Sequence, residues 1–189
     1  IFPEHVYENN FGTVGVKTES KEPKLKIIEI TPYRLESSYS DNRHPDKVRF
    51  SDKLEDDLQR RDFTINALAY DIYKRQIIDL YKGQEDIRSK IIRTVGKSDE
   101  RFNEDALRML RAIRFSAELG FTINIETMNS LISNADLLKK VSCERIRDEF
   151  TKIIMSQNPM IGLSMAQKMD ILKYIAPVLE EMLHVEQNK

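Results

Sequence analysis

The sequence contains a single cysteine, Cys143, which excludes an internal disulfide framework. A lone thiol favours a reducing compartment, so we expect the protein to be cytoplasmic. No apolar run is long enough to cross a bilayer and no secretory signal opens the chain, so we expect no membrane partner. The three histidines, His5, His44 and His184, are too scattered for metal-ligand spacing.

An excess of charge of one sign is also missing, because 30 Lys and Arg residues nearly balance 31 Asp and Glu residues. A net charge of −1 gives no overall basic field that would indicate a nucleic-acid partner. The charges are uneven along the chain: residues 1–59 carry 9 basic and 12 acidic side chains, whereas residues 60–114 carry 13 and 9. An anion site is therefore expected in the middle of the chain, although an ordinary solvated surface explains the same excess.

The pattern of apolar residues changes about halfway along the chain. Residues 11–16 and 25–30 are rich in β-branched residues and predict strands, and residues 65–80 predict a hairpin. In the second half the apolar residues recur at helical spacing. The predicted helices are 103–119, 126–139, 142–156, 160–169 and 174–185. The sequence therefore predicts a mixed α/β part, residues 1–97, followed by a helical part, residues 98–189.

Two arginines and an aspartate crowd the edge of an apolar stretch in "LQRRDFTINALAYD", residues 58–71. Charges so close to a core either stay in water or hold something charged. One interpretation is a buried ion pair that fastens a helix to a sheet, and we favour it for Arg60. The other interpretation is a contact with an anionic ligand, and we favour it for Arg61.

The segment "NEDALRMLRAIRFSAEL", residues 103–119, places Asp105 and Arg108 three residues apart, which makes them neighbours on a helix surface. A helical wheel puts both on the face opposite the apolar stripe. The simpler interpretation is a solvated ion pair worth well under about 1 kcal/mol. Arg111 and Arg114 follow one and two turns later, where a phosphate group would find guanidinium donors.

A second interpretation of Asp105 and Arg108 is that they read a nucleotide base. Cytosine and adenine both present an amino donor beside a ring-nitrogen acceptor on the Watson–Crick edge, whereas uracil and guanine present a carbonyl and an N–H there. A carboxylate accepts the amino hydrogen, and a guanidinium donates to the ring nitrogen. The pair would therefore accept C and A and reject U and G.

Two neighbouring features receive structural interpretations. The charged cluster Glu144, Arg145, Arg147 and Asp148 is predicted to form bridges between helices. Cys143 is predicted to be a core residue rather than a nucleophile. Both features are therefore left out of the predicted site.

Five stretches of the sequence form an ordered series. They are "RRDFTINALAYD" (60–71), "IIDLYKGQEDI" (77–87), "IIRTVG" (91–96), "RFNEDALRMLRAIRFSAELGF" (101–121) and "SCERIRDEF" (142–150). In this order and at this spacing they resemble the class II tRNA nucleotidyltransferases, the family of CCA-adding enzymes, their A-adding and C-adding branches and bacterial poly(A) polymerases. "IIEITPYR" (27–34) also looks like the family, and the resemblance extends from the first residues to about residue 160.

The resemblance implies an α+β fold with two parts. Residues 1–97 are expected to form the C-terminal part of a polymerase-β-like nucleotidyltransferase head, and residues 98–189 an all-helical neck that reads the base. The sugar and phosphates of the nucleotide are assigned to Arg61, Asp62 and Asn66.

The same resemblance assigns the remaining site residues. It makes Asp105 and Arg108 the amino-acid template for the base, and it places Arg111 and Arg114 beside the nucleotide. Glu29 aligns with an acidic strand position of the family that is catalytic and lies near the metal site. The simpler interpretation is that Glu29 is an acidic side chain on a strand that points to water.

The sequence lacks the family's glycine-rich "GG…RD" turn and the Asp-x-Asp pair that follows it. In the family those acids hold two Mg²⁺ ions. The resemblance therefore predicts an internal piece of a longer enzyme, inactive alone, whose intact form uses Mg²⁺ to add C and A from CTP and ATP to tRNA 3′ ends. A split gene product or an inactive relative are alternatives. A poly(A) polymerase, an A-adding enzyme and a noncatalytic nucleotide- or RNA-binding module remain alternative functions.

Overall fold

A computed structural model describes residues 5–7, 12–37 and 47–182 of the chain. The first part of the chain contains strands β1 (His5–Tyr7), β2 (Val14–Lys17), β3 (Ile27–Ile30), β4 (Arg34–Ser37), β5 (Lys47–Phe50), β6 (Leu68–Asp71) and β7 (Gln76–Asp79), with helices α1 (Leu54–Gln59) and α2 (Gly83–Ser89). Strands β1, β2 and β3 form an antiparallel sheet in that order. Strand β4 pairs with β5, and β6 pairs with β7, both antiparallel.

The strand predictions for this part are largely confirmed. The predicted hairpin over residues 65–80 corresponds to β6 and β7, which pair with Leu68 opposite Asp79. The predicted strands 11–16 and 25–30 correspond to β2 and β3. The first residue of the former range lies outside the described residues.

The second part of the chain is mainly helical. Its elements are α3 (Ser98–Glu104), α4 (Leu107–Leu119), α5 (Ile125–Ser133), a 3-10 segment (Ala135–Lys140), α6 (Cys143–Ile154), α7 (Pro159–Lys168), α8 (Leu172–Ile175) and α9 (Pro177–Met182). Two short parallel strands, β8 (Ile91–Ile92) and β9 (Thr122–Ile123), link it to the first part. Among the described residues, we find no helix with the length and apolar character that crossing a membrane requires.

Three of the five predicted helices are interrupted in the structure. The range 103–119 contains α3 and α4, and 126–139 contains α5 followed by the 3-10 segment. The range 174–185 overlaps α8 and α9, and its residues 183–185 lie outside the described residues. The two helices separate at Ala176, with φ −152° and ψ 67°, because the residue before Pro177 is disfavoured in a helix. The other two predicted helices are confirmed by α6 and α7.

The break between α3 and α4 lies at Asp105. Its backbone is extended, with φ −147° and ψ 104°. Its Oδ1 accepts the N–H of Leu107 at 3.1 Å, and its carbonyl accepts the N–H of Arg108 at 3.0 Å. Aspartate competes in this way for backbone donors and favours helix starts over helix interiors. The prediction of one stiff helix carrying Asp105 and Arg108 is therefore wrong, because Asp105 precedes α4.

Helix α4 is buried on both sides. It packs against α6 and α7, and its apolar residues Leu110 and Ile113 are fully buried. The face that the wheel predicts to be solvated is covered by the first part of the chain. There, Ala112 is fully buried, and the ring of Phe63 packs edge-on against Phe115 with centroids 5.8 Å apart. The prediction of a solvated face is wrong. The N-terminal end of α4 instead lies at the boundary between the first and second parts of the chain.

Close packing of α2 fixes the turn Thr64–Asn66 on the other side of this boundary. Asp79 accepts the N–H of Gly83 at 2.8 Å, which anchors the start of α2. A Cβ at Gly83 would lie 2.2 Å from the carbonyl oxygen of Thr64, so only glycine permits this approach. The hydroxyl of Thr64 also donates to buried Asp86 at 2.7 Å. The turn is therefore held from its backbone and from its side chains.

Candidate functional site

A cleft of about 560 Å³ opens where the start of α4 meets the turn Thr64–Asn66 and α6. Six of the eight predicted site residues line it: Arg61, Asp62, Asn66, Asp105, Arg108 and Arg111. The lining also includes Arg60, Leu107, Phe115 and Arg145. Among the described lining residues, five arginines outnumber two aspartates, and this charge favours an anionic ligand.

Asp62 is the centre of the hydrogen bonding on one side of the cleft. Its Oδ1 accepts the N–H of Phe63 at 2.8 Å and the amide of Asn66 at 3.1 Å. Its Oδ2 accepts Nε of Arg111 at 2.8 Å and lies 2.6 Å from Nη2 of the same side chain. Asp62 is 9% exposed, and it therefore positions Asn66 and Arg111 relative to each other across the boundary between the two parts of the chain.

Arg60 and Arg61 share one carboxylate, that of buried Asp57 in α1. Arg60 Nη2 lies 2.5 Å from Oδ1, and Arg61 Nη2 lies 2.9 Å from Oδ2. The ion pair predicted for Arg60 is thus present, and the acidic partner seen among the described residues is Asp57 of α1. Arg61 keeps 45% of its side chain exposed and faces the cleft, which leaves donors for a ligand.

Because Arg60 and Arg61 share the carboxylate of Asp57, the stability of the fold depends on pH in the acid range. Burial raises the pKa of Asp57, but the hydrogen bonds and charges of Arg60 and Arg61 together outweigh burial and bring the pKa below its ordinary 3.8. A lowered pKa means that the ion pairs stabilise the fold above pH 3.8 and that this stabilisation is lost as pH falls through the lowered value.

We expect Asp57→Asn to lower the free energy of unfolding by about 1–2 kcal/mol at pH 7, and by less at pH 3, because below the ordinary pKa of 3.8 the unfolded chain takes up the proton that the folded carboxylate resists. Denaturant titrations of both proteins at the two pH values measure this difference. Glu55→Gln, an exposed substitution in the same helix, serves as the control. An Asp57→Asn effect that stays equal at both pH values would show that packing, not charge, is lost.

Asp105 and Arg108 face the same cleft but have different partners. Asp105 Oδ2 accepts Nη2 of Arg145 at 2.7 Å. Arg108 Nη1 donates to Glu104 at 2.5 Å, and its Nη2 donates to the carbonyl of Arg60 at 3.1 Å. The solvated ion pair between Asp105 and Arg108, which was the simpler interpretation, is therefore wrong. Arg108 is only 9% exposed, and both side chains are held in place from outside the pair.

Arg114 lies behind the cleft and is not among its lining residues. Its Nε is 2.8 Å from buried Glu149 and its Nη1 is 3.1 Å from Glu118. Its guanidinium also lies over the ring of Phe115, 4.2 Å from the centroid. Because Phe115 lines the cleft, Arg114 supports the wall from outside, and a direct contact between Arg114 and a nucleotide stays a prediction.

Glu29 also lies apart from the cleft. It is exposed in β3, opposite Gly15 of β2, within the three-stranded sheet. Among the described residues that line the cleft, none belongs to that sheet. The catalytic role that the family resemblance gives Glu29 stays a prediction.

Four lining residues of the cleft were not in the predicted site, namely Arg60, Leu107, Phe115 and Arg145, and the prediction for Cys143 beside Arg145 was wrong. Arg145 was interpreted only as a bridge between helices; it does bridge α6 to Asp105, and the bridge forms part of the cleft wall. The signal available in the sequence was its position in "SCERIRDEF", one of the five ordered motifs. Cys143 is exposed at the start of α6, so its prediction as a core residue is wrong.

The metal expected from the family resemblance finds no matching donor set here. Within residues 5–7, 12–37 and 47–182, no group of three or more His, Cys, Asp or Glu side chains has an arrangement that holds a metal ion. The two cleft aspartates are engaged by Arg111 and Arg145.

Two family models match most of the chain. The model described as "Poly A polymerase head domain" matches residues 2–93. The model described as "Probable RNA and SrmB- binding site of polymerase A" matches residues 120–183. The cleft draws its residues from the first match and from the segment that joins the two matches, with Arg145 from the second.

Similar proteins are CCA-adding enzymes. That of Ligilactobacillus salivarius is 49% identical over 146 residues, which covers 77% of this chain and 36% of the relative. The crystal structure of the Bacillus stearothermophilus CCA-adding enzyme in complex with CTP matches 93% of this chain and 41% of its own, with TM-score 0.81 and 39% identity. The Thermotoga maritima CCA-adding enzyme complexed with tRNA(CCA) matches 93% of this chain and 39% of its own, with TM-score 0.74 and 26% identity. The chain spans less than half the length of the curated relatives it matches.

Proposed function

Because the chain belongs to the class II tRNA nucleotidyltransferase family of CCA-adding enzymes and bacterial poly(A) polymerases, we propose that it supplies the nucleotide-selecting part of an enzyme that adds C and A from CTP and ATP to tRNA 3′ ends. The α+β fold expected from the resemblance is the fold of the matched CCA-adding enzymes. In this proposal residues 1–97 are part of the catalytic head, residues 98–189 are the neck, and the enzyme acts in the cytoplasm.

The observation that carries the proposal is that Asp105 and Arg108 line one cleft together with four further arginines. A carboxylate that accepts from an amino group and a guanidinium that donates to a ring nitrogen match the Watson–Crick edges of cytosine and adenine. Uracil and guanine offer a carbonyl and an N–H at the same positions, so they meet an acceptor with an acceptor and a donor with a donor. The cleft therefore selects C and A with the same two side chains.

Both side chains retain hydrogen-bonding capacity for a base. Arg108 has five N–H donors, and its contacts with Glu104, Arg60 and Arg101 use three of them. The carboxylate of Asp105 has about four lone-pair sites, and its two contacts occupy two of them. The side chains of Asp105 and Arg108 are thus held in place by protein contacts and keep further hydrogen-bonding positions for a base.

The phosphates of the nucleotide would meet the other guanidinium groups. Arg61 and Arg111 keep 45% and 32% of their side chains exposed while being anchored by Asp57 and Asp62. Planar guanidinium groups donate two parallel hydrogen bonds to phosphate oxygens. Asn66, oriented by Asp62, is placed to contact the sugar or a phosphate.

The described residues bind and select the nucleotide but do not carry out the transfer. In the family, metal ions held by an Asp-x-Asp pair supply charge stabilisation for in-line attack by the 3′-hydroxyl. That pair is absent from this sequence, and the described residues offer no substitute for it. The chain's own contribution is therefore to hold the base against Asp105 and Arg108 and the phosphates against arginine.

Nucleotide binding to the chain tests the selecting role directly. Calorimetric titrations with CTP, ATP, UTP and GTP should give dissociation constants at least about tenfold lower for CTP and ATP than for UTP and GTP. Tripolyphosphate, which has no base, should bind and compete with all four nucleotides. Equal affinity for the four nucleotides would contradict base reading, and failure of tripolyphosphate to compete would contradict the phosphate contacts.

A second candidate is the addition of A alone, because the family model that matches residues 2–93 is described as a poly(A) polymerase head. An incorporation assay with the longer enzyme that carries this chain separates the candidates. Transfer RNAs that lack one, two or all three terminal nucleotides would each be completed to CCA under the lead proposal. Incorporation of A only would favour the second candidate, and incorporation of neither nucleotide would favour a noncatalytic binding module.

A further inference from the structure

Arg145 approaches the reading groups from a different element than either of them. It lies in the first turn of α6, 40 residues beyond Asp105, and its guanidinium Nη2 donates to Asp105 Oδ2 at 2.7 Å. The side chains of Arg145 and Asp105 are 22% and 18% exposed. Both line the cleft, so their contact forms part of the surface that a base would meet.

Asp105 needs an external partner because its own backbone does not fix its side chain. The residue has extended backbone angles between α3 and α4, so no preceding helical turn restricts its rotamer. One oxygen accepts the Leu107 N–H at 3.1 Å, and this single bond still allows the carboxylate plane to turn. The contact with Arg145 at the second oxygen fixes that plane.

We propose that Arg145 is a specificity-determining positioning residue that sets the choice of C and A over U and G by holding the Asp105 carboxylate. This inference rests on the proposed function and adds a residue to it. A carboxylate held at both oxygens presents acceptors in one direction only, toward the amino group of cytosine or adenine. A released carboxylate can turn toward Arg108 or Arg111, the neighbouring guanidinium groups of the cleft, and pairing there removes an acceptor and a donor from the reading set.

The planar fork of arginine matters for this role. Lysine would keep the positive charge at Asp105 but would hold the carboxylate by a compact, rotatable ammonium group. A role in positioning therefore predicts that Arg145→Lys recovers only part of the selectivity. A role limited to charge predicts full recovery.

The test compares Arg145→Ala, Arg145→Gln and Arg145→Lys with a matched control, Arg147→Ala. Arg147 lies on the same helix, is 69% exposed and pairs with Asp148. The measured quantities are the ratio of dissociation constants for UTP and CTP, the corresponding ratio for GTP and ATP, and the thermal unfolding midpoint. We expect both ratios to fall by about tenfold in Arg145→Ala and Arg145→Gln, to fall less in Arg145→Lys, and to stay unchanged in Arg147→Ala.

Ratios are informative because a merely structural role would weaken binding of all four nucleotides together and leave the ratios unchanged. Wild-type ratios in Arg145→Ala or Arg145→Gln would overturn the inference while leaving the proposed function intact. A wild-type protein without selectivity would instead contradict the proposed function itself. If Arg145→Ala does not fold, Arg145→Gln, which keeps the length of a hydrogen-bonding side chain, decides the matter.

The coupling between the two residues gives an independent check. If Arg145 acts through Asp105, then adding Arg145→Ala to an Asp105→Asn variant should change the nucleotide ratios by less than twofold. Additive losses in the double variant would show that Arg145 acts by another route and would overturn the inference.

Discussion

Replacing Asp105 with asparagine should remove most of the preference for CTP and ATP over UTP and GTP. An asparagine whose oxygen keeps accepting the Leu107 N–H presents its NH2 group where aspartate presents its second acceptor, so it meets the amino group of cytosine or adenine with a donor. The loss of one base-directed contact corresponds to about 1–3 kcal/mol, so discrimination should fall by about tenfold to a hundredfold. The ratios of dissociation constants for the four nucleotides, measured on wild type and variant, give this result.

Asparagine is the informative substitution because it preserves the local fold. It caps a helix start as well as aspartate does, so the hydrogen bond to the Leu107 N–H is retained. We therefore expect the thermal unfolding midpoint to fall only through loss of the Arg145 ion pair, while selectivity collapses. Glu100→Gln, an exposed substitution in α3, provides the matched control. A variant that still rejects UTP and GTP as strongly as wild type would remove Asp105 from the reading role.

The presence of Asp105 in a charged cleft was predictable from sequence, but its geometry was not. Residue types and spacing singled out Asp105 and Arg108, and the family resemblance placed them with Arg61 and Asn66 in one site, which the cleft lining matches. A helical wheel assumes an unbroken helix, and Asp105 interrupts it by bonding to the backbone two residues ahead. No periodic pattern in the sequence connects residue 105 to Arg145, so the sequence did not predict that Arg145 pairs with Asp105.

The same limit explains the misjudged face of α4. Amphipathic patterning identifies the apolar side of a helix that has one neighbour. Helix α4 has neighbours on two sides, and the second is the segment around Phe63 from the first part of the chain. Arginines on such a face do not point to water. Arg108 uses its long stem and planar head to meet half-buried Glu104, and Arg114, which flanks the apolar stripe, meets buried Glu149 of α6.

Asp62 bonds to Phe63, Asn66 and Arg111 and so links the cleft to the stability of the fold. Its replacement is the second change for which we expect a large effect. Asp62→Ala removes the acceptor of the buried Phe63 N–H and the partners of Asn66 and Arg111. Breaking a buried ion pair by deleting one partner costs about 3–5 kcal/mol, and we expect about 2–4 kcal/mol here because Arg111 keeps a third of its side chain in water. Chemical denaturation of the two proteins measures the loss.

Nucleotide binding should respond to Asp62→Ala in a way that differs from Asp105→Asn. With Asn66 and Arg111 released, the groups assigned to sugar and phosphate lose their orientation, and affinity should fall by a similar factor for all four nucleotides. The control is Asp148→Ala, which breaks an Asp–Arg pair in which both side chains are exposed and should cost no more than about 0.5 kcal/mol. Equal destabilisation by Asp62→Ala and Asp148→Ala, or a selective loss of CTP and ATP binding in Asp62→Ala, would contradict the role of Asp62 as the hub of the phosphate side.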